Sequence, residues 1–186
     1  AMSWDTNALY MAVKTYDDTH QNPGDGWNGD TLQIAFTNAA RDAPEGDMIL
    51  YNYGQHSDTG EDTLHHQRHP CPDADDCTDA AMARFEESTL TVYEIRIPTQ
   101  GLGIDSIFDG YQFGFGMCLN DGDTGMGHGA WLSGRVEDGS ENDNQGGQKG
   151  WTGWGPYSIV YGKNSPACGV VTLTGDSVDM SSLNRA

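Results

Sequence analysis

The feature that most constrains the fold is a series of short runs in which apolar and polar residues alternate with a period of two. Thr31–Phe36 and Leu90–Ile97 are clear examples. A period of two places successive side chains on opposite faces of an extended chain, so these runs predict β-strands with one buried face. No window of about 11 residues carries a convincing helical apolar period. The chain is therefore predicted to be all-β.

Eight runs bounded by Gly, Asp and Asn turns are predicted as strands: Ala8–Tyr16, Thr31–Phe36, Met48–Tyr53, Ala81–Glu86, Leu90–Ile97, Gln112–Leu119, Tyr157–Tyr161 and Gly169–Leu173. Short strands with polar turns indicate an antiparallel β-sandwich of the jelly-roll or immunoglobulin type. We expect one sandwich domain over residues 1–175 and a polar C-terminal extension over 176–186. Three long polar loops interrupt the strands, and loops of that length are usually functional: Asp17–Asp30, Gln55–Thr78 and Asn120–Lys149.

The charge balance excludes several classes of partner. The 186 residues include 28 Asp and Glu but only 9 Lys and Arg, which gives a formal net charge of −19. Nucleic acids and anionic membranes attract clusters of Lys and Arg, so neither is expected as a partner. No apolar run approaches the length of about 18 residues that spans a bilayer, so we expect no membrane insertion.

Four cysteines indicate the compartment. Cys71 and Cys77 enclose a short polar loop, and their spacing is wider than that of a usual zinc ligand pair. We predict a Cys71–Cys77 disulfide, with Cys118–Cys168 as the remaining pair, and therefore an extracellular, periplasmic or cell-surface location. The alternative interpretation is four buried free thiols.

Carboxylates and amides cluster in two of the long loops. Carboxylates alternating with glycine suit Ca²⁺, which takes six to eight oxygen ligands. We predict calcium, and no organic cofactor, on ligands drawn from Asp17, Asp18, Asp25, Asp30, Asn120, Asp121 and Asp123. Neither loop completes an EF-hand, and the alternative is a solvated acidic turn.

Several tryptophans lie in or beside Gly-rich polar loops. Indole rings exposed beside carboxylates and amides suit sugars, whose C–H faces stack on the ring while the hydroxyls contact the polar groups. Trp27, Trp151 and Trp154 are the predicted ligand-binding residues. The alternative is that loop tryptophans fold back onto the ends of the sandwich, and for Trp131 we prefer that interpretation.

Catalytic signals are weak. No nucleophile elbow, zinc-protease motif or phosphate-binding loop occurs in the sequence. His65, His66 and His69 could capture zinc or copper, but an exposed polar loop is the preferred interpretation. Carboxylates are too numerous for any one pair to indicate a glycosidase, so we expect no enzyme activity.

Several segments, in order along the chain, resemble the family 9 carbohydrate-binding modules and the wider DOMON-like superfamily. Trp4–Val13 with Tyr16-Asp17-Asp18 resembles that family's W-D strand, and Trp27–Ile34 is similar to its W-x-G-D entry into the next strand. Val92–Pro98, Gly114–Asp123 and the closing Trp151–Leu173 region resemble the later strands and turns. The resemblance implies a β-sandwich with structural calcium that clamps a sugar between Trp27 and either Trp151 or Trp154.

The leading functional hypothesis is non-catalytic, extracellular carbohydrate binding to an oligo- or polysaccharide. The second is a calcium-binding structural or adhesive surface domain that assembles with other chains. The third is a DOMON-type haem or redox module with Met117, Met126 or His128 as axial ligands. In the family an earlier strand pairs beside the W-D strand, so we also expect a strand from another chain or a cleaved segment to fill that edge.

Overall fold

Ten β-strands form in the part of the chain that the structure, a computed structural model, describes: residues 1–22, 29–73, 77–122, 150–154, 158–159 and 163–175, with only the backbone of 150–152. The strands are β1 Met2–Trp4, β2 Ala8–Tyr16, β3 Thr31–Thr37, β4 Ile49–Gln55, β5 Asp62–Arg68, β6 Asp79–Phe85, β7 Leu90–Pro98, β8 Gln112–Asp121, β9 Gly150–Thr152 and β10 Gly169–Thr172.

The strands form two antiparallel sheets, which confirms the all-β prediction. One sheet has the order β1-β2-β7-β6. The other has the order β10-β8-β3-β4-β5, and β9 pairs with the end of β8. No helix in the described residues is long and apolar enough to cross a membrane.

Seven predicted strands are present, with ends shifted by at most two residues. Of the eighth, Tyr157–Tyr161, only Ser158 and Ile159 lie within the described residues, and they form a helical turn. The prediction that Gln55–Thr78 is a polar loop is wrong, because β5 lies inside it and pairs with β4. The expected C-terminal extension, 176–186, lies outside the described residues.

The main core fills the space between the sheets. The alternating residues of β2 and β7 supply Leu9, Met11, Tyr93 and Ile95 from one side, while the aromatic and branched residues of β3 and β8 close the other side, including Ile34, Phe36, Phe113 and Phe115. A second, smaller cluster covers the opposite face of β3, and contains Ala35, Met48, Leu50, Cys118, Ile159 and Cys168. Every residue of β3 is therefore buried.

One of the two predicted disulfides is present in the structure and the other is not. Cys71 and Cys77 form the expected disulfide, and both are buried in the main core. The prediction of a Cys118–Cys168 disulfide is wrong, since both are free buried thiols. Burial raises the pKa of Cys118 to about 12 despite the nearby charge of Lys163, so its thiol stays protonated and donates to Asn120 Oδ1 at 3.3 Å. A protonated thiol is a poor partner for disulfide exchange.

The two edges of the four-stranded sheet, at β6 and at β2, are covered in different ways. At β6, side chains from the other sheet bind the edge: Gln55 Nε2 donates to the Met82 carbonyl, while Asp62 and Gln55 accept from the amides of Met82 and Arg84. At β2, the short strand β1 pairs with Leu9–Met11, so part of the edge that we expected another chain to fill is covered by this chain itself. A strand partner along the remainder, Val13–Tyr16, stays a prediction.

Candidate functional site

The two sheets end together around a small cavity, which we call the loop-end cavity. Its volume is about 90 Å³. Thr31 pairs with Asn120 in one sheet, and Tyr16 pairs with Leu90 in the other. These pairings place the end of β2, the start of β3, the start of β7 and the end of β8 at one point. The lining consists of Thr15, Tyr16, Asp17, Asp30, Thr91, Tyr93, Leu119, Asn120 and Asp121.

Four of the predicted site residues meet here. Asp17 and Asp30 come from one acidic loop, and Asn120 and Asp121 come from another that lies about 90 residues further along the chain. A cavity with carboxylate and amide groups on several sides offers directional hydrogen bonds to hydroxyl groups. Asp18 is exposed outside this lining. Asp25 and Asp123 lie outside the described residues.

Asp30 holds the loops around the cavity. Its Oδ2 accepts a hydrogen bond from the amide of Gln21 at 2.6 Å, and its Oδ1 accepts one from the amide of Gly122 at 2.8 Å. Asn22 adds a further contact, because its Nδ2 donates to the Asp30 carbonyl at 2.9 Å. This one carboxylate therefore joins the segment before β3 to the segment after β8.

His20 also contacts Asp30, and sequence reasoning missed it as part of the site. Burial tends to lower the pKa of His20, but the hydrogen bonds to the Asp30 carboxylate and the Gln55 carbonyl outweigh it, and the net shift is upward. No motif indicates this role, since Asp30 lies ten residues further along the same loop and Gln55 lies at the end of β4.

Tyr93 forms the apolar floor of the cavity and is 1% exposed. Burial is the main cause that raises the pKa of Tyr93, and the negative charges of Asp30 and Asp17 raise it further. Arg84 partly offsets those charges, and its guanidinium donates to the Asp17 carbonyl at 2.7 Å. The cavity is therefore acidic at its rim and aromatic at its base.

Asn120 is held in a fixed orientation. Its Nδ2 donates to Thr31 Oγ1 at 2.7 Å, while its Oδ1 accepts from the Cys118 thiol. The side chain is 6% exposed. These contacts fix which end of the amide faces each neighbour, so the polar wall that it forms is preorganised.

The described residues alone do not assemble a metal centre. Among them, no three His, Cys, Asp or Glu side chains are arranged to hold an ion. The carboxylate of Asp30 is already engaged by two backbone amides and His20. The calcium prediction, which includes Asp25 and Asp123 outside the described residues, stays a prediction.

The predicted tryptophans take different positions. The backbone of Trp151 lies on β9 directly opposite Asn120, at the rim of the loop-end cavity. Trp154 lies further along the edge of β8, where its ring packs 5.6 Å from that of Phe115, and it remains 47% exposed. Asn120 and Phe115 are five residues apart on a strand, about 16 Å. Trp27 lies outside the described residues, three positions before Asp30.

The histidine group does not form one site. His65 and His66 are successive residues of β5, so they point to opposite faces. His66 packs edge-on against Tyr51 and its Nε2 lies 3.0 Å from Thr78 Oγ1, while His69 Nδ1 lies 3.1 Å from the Cys71 carbonyl oxygen. The interpretation of this segment as an exposed loop is therefore wrong. Met117 packs against the main core, and Met126 and His128 lie outside the described residues.

Comparison with known proteins supports the fold. No protein-family model matches the chain, and no curated protein matches it. Two solved structures of a carbohydrate-binding module of family 9 from Caldicellulosiruptor kristjanssonii, in complex with glucose and with cellotriose, are similar to it with a TM-score of 0.57 and 16% sequence identity. The match covers 96% of this chain and 77% or 75% of theirs. The chain therefore has a β-sandwich fold like that of the family 9 modules.

Proposed function

We propose that this chain is a non-catalytic, extracellular carbohydrate-binding module whose sugar site is the loop-end cavity. The observation that supports it is the convergence of Asp17, Asp30, Asn120 and Asp121 at one end of a sandwich whose structural neighbours were solved with glucose and cellotriose. Hydroxyl groups of a sugar both donate and accept, which matches a wall of carboxylates and an oriented amide.

The size of the cavity explains how such a ligand would be held. A volume of about 90 Å³ is far below the roughly 300 Å³ of an ordinary small-molecule pocket, so it admits only the hydroxyl-bearing edge of a sugar ring. The faces of the ring then need partners outside it. Trp27 precedes Asp30 by three positions, and the backbone of Trp151 on β9 lies opposite Asn120. We propose these two indoles as the stacking residues, with Trp151 preferred over Trp154 because of that pairing.

The disulfide supports the location. Cys71–Cys77 is buried in the core, and disulfides persist mainly in secreted, periplasmic or cell-surface proteins. Calcium is proposed as a stabiliser of the loops, with Asp25 and Asp123 among its ligands, and not as a participant in sugar contact.

The test is a glycan array followed by titration calorimetry on the strongest ligand. Asp121→Asn keeps the shape of the side chain but removes its charge, and we expect it to weaken binding about tenfold or more. Asp105→Asn, an equivalent change at an exposed position outside the cavity, is the matched control. An array without any glycan signal, or equal affinities for the two variants, would refute the proposal.

A further inference from the structure

The outer face of the four-stranded sheet contains a second and larger concavity, which we call the outer-sheet groove. Its volume is about 540 Å³. The side chains that matter here are Tyr10, Ala12, Asp79, Ala81, Glu94 and Arg96. The groove lies on the face turned away from the core, and the distance along β2 from Tyr10 to Tyr16 at the loop-end cavity is about 20 Å. The two sites are therefore separate.

The sequence of the strands creates the groove. Ala12, Glu94 and Ala81 form one row across β2, β7 and β6, so two of the three side chains in the row are methyl groups. Beside it, Tyr10, Arg96 and Asp79 form a row of larger side chains. Small residues beside large ones leave a trough whose floor is the sheet itself. The solvated face of an antiparallel sheet is commonly polar, whereas two of the three residues in the first row are alanines.

The larger side chains are held in place before any ligand binds. Asp5 accepts hydrogen bonds from the backbone amides of Asn7 and Ala8 at 2.7 and 2.8 Å, and its other oxygen accepts one from the Tyr10 hydroxyl at 2.9 Å. Arg96 contacts both Tyr10 and Asp79, with Arg96 Nη1 and Asp79 Oδ2 2.7 Å apart. A wall ordered in this way loses little conformational entropy when it binds, which favours affinity.

We propose that the outer-sheet groove is a second carbohydrate-binding surface, which holds a neutral oligosaccharide lying across the strands. The Arg96 guanidinium offers donors, the Glu94 and Asp79 carboxylates offer acceptors, and the Tyr10 ring offers an apolar face. The groove also reaches Ser3 of β1, which pairs with Tyr10, so from β1 to β6 it crosses three strand spacings, about 14 Å, and suits a chain of sugars better than a single ring.

The charges around the groove favour a neutral oligosaccharide over an anionic ligand or a second copy of the chain. Asp79 and Glu94 line the groove and Asp5 lies behind Tyr10, while the Arg96 guanidinium already has Asp79 as its partner, so an anionic ligand is disfavoured. A second copy of the chain carries a net charge of −19 of its own, so overall electrostatic repulsion opposes its approach. A neutral, hydroxyl-rich ligand meets neither penalty and can use both the donors and the acceptors.

The test uses native gel electrophoresis of the whole chain in gels that contain a soluble β-glucan, xylan or mannan. Ala81→Leu fills the groove, whereas Ala83→Leu makes the same change on the same exposed face of β6 outside the groove lining. We expect Ala81→Leu to weaken retardation by at least one polysaccharide about tenfold and Ala83→Leu to leave it unchanged. Both variants are also made in the Asp121→Asn background, which disables the loop-end cavity.

A second pair protects the test against misfolding. Arg96→Met removes the guanidinium from the groove, and Lys14→Met removes another exposed cation of β2 outside it. The melting temperature of each variant is measured alongside. The groove proposal is supported if the Asp121→Asn protein still binds polysaccharide and loses that binding when Ala81→Leu or Arg96→Met is added.

The outcomes separate the two sites. If Asp121→Asn abolishes all retardation and Ala81→Leu and Arg96→Met change nothing, the groove is overturned and the loop-end proposal stands. If Asp121→Asn has no effect and the groove variants abolish binding, the loop-end proposal fails and the groove stands. Wild-type protein that no polysaccharide retards overturns the groove as well.

Discussion

His20 and Asp30 form an ion pair that is almost closed to solvent, with Nδ1 of the imidazole 3.3 Å from Oδ2 of the carboxylate and side-chain exposures of 5% and 8%. The other ring nitrogen, Nε2, lies 2.8 Å from the Gln55 carbonyl oxygen. Acceptor oxygens therefore lie near both nitrogens, which favours the protonated imidazolium and raises the pKa of His20. Asp30 also holds Gln21 and Gly122, so His20 contacts the same carboxylate that joins the two loops of the loop-end cavity.

The stability of the fold should therefore depend on pH through His20. Its folded-state pKa is raised above the unfolded value of about 6.5. A raised pKa contributes stabilisation that is fully present below about pH 6.5 and is lost as the pH rises through the folded pKa. We expect the free energy of unfolding, measured with urea between pH 6 and 9, to fall over that window.

The His20→Gln variant is the control, because it keeps a donor but cannot titrate. The other histidines contribute equally to both proteins, so the difference between the two pH profiles isolates His20. Parallel profiles for wild type and His20→Gln would show that the ion pair does not couple protonation to folding.

Trp27→Ala should weaken sugar binding without unfolding the protein. Loss of one stacking face of an aromatic anchor costs on the order of 2 kcal/mol, about thirtyfold in affinity, measured by calorimetry. Trp154→Ala is the contrasting variant, because its ring packs against Phe115 and lies directly over Gly169. We expect it to lower the melting temperature and to change affinity little. Unchanged affinity in Trp27→Ala would remove that residue from the site.

Gly101→Ala should be strongly destabilising. A Cβ at this position would lie 2.1 Å from the backbone carbonyl oxygen of Cys77, and the Gly101 carbonyl accepts a hydrogen bond from the Tyr51 hydroxyl. The contact with backbone cannot relax by rotating a side chain, so we expect a cost of about 1–3 kcal/mol in the free energy of unfolding. Gly46→Ala is the matched control, since nothing lies within 4 Å of the added atom. Its effect should stay within about 0.5 kcal/mol.

Removal of calcium should lower the melting temperature. An ion present at 100 times its dissociation constant stabilises a domain of this size by about 5–10 °C, and chelation with EDTA removes that contribution. Asp25→Asn should reduce the response to EDTA, whereas Asp105→Asn should leave it intact. Identical melting curves in EDTA and in excess CaCl₂ would show that the acidic loops are only solvated.

The strands that could be predicted from sequence are those in which apolar and polar residues alternate, because one face of the strand is buried. Leu90–Ile97 alternates because one side meets the core, and β7 follows it closely. β5 has a single aliphatic residue, Leu64, and forms because β4 offers it a backbone to pair with. That stabilisation comes from backbone pairing with the preceding strand, which the side-chain pattern of β5 does not record. β1 and β9, of three residues each, are too short to carry any period.

The site residues were predictable by type but not by arrangement. Asp17, Asp30, Asn120 and Asp121 stood out as oxygen ligands in two separate loops. Their meeting depends on β8 lying next to β3, which pairs Thr31 with Asn120. A strand order of this kind is set by packing between distant segments, and no local pattern encodes it. The backbone-amide contacts of the Asp30 carboxylate are likewise not encoded locally, and its role as a metal ligand stays a prediction.

The bonds that Gln55 and Asp62 make to Met82 and Arg84 limit how this protein can associate. They occupy backbone groups that would otherwise accept a foreign strand, so the β6 margin is closed there to further pairing. The opposite margin, along Val13–Tyr16, has no strand beside it among the described residues. If a sheet can extend at only one of its two edges, edge-to-edge pairing joins two copies about a twofold axis and adds no third copy. At Met82 and Arg84 the same two side chains therefore oppose growth into a filament through this sheet.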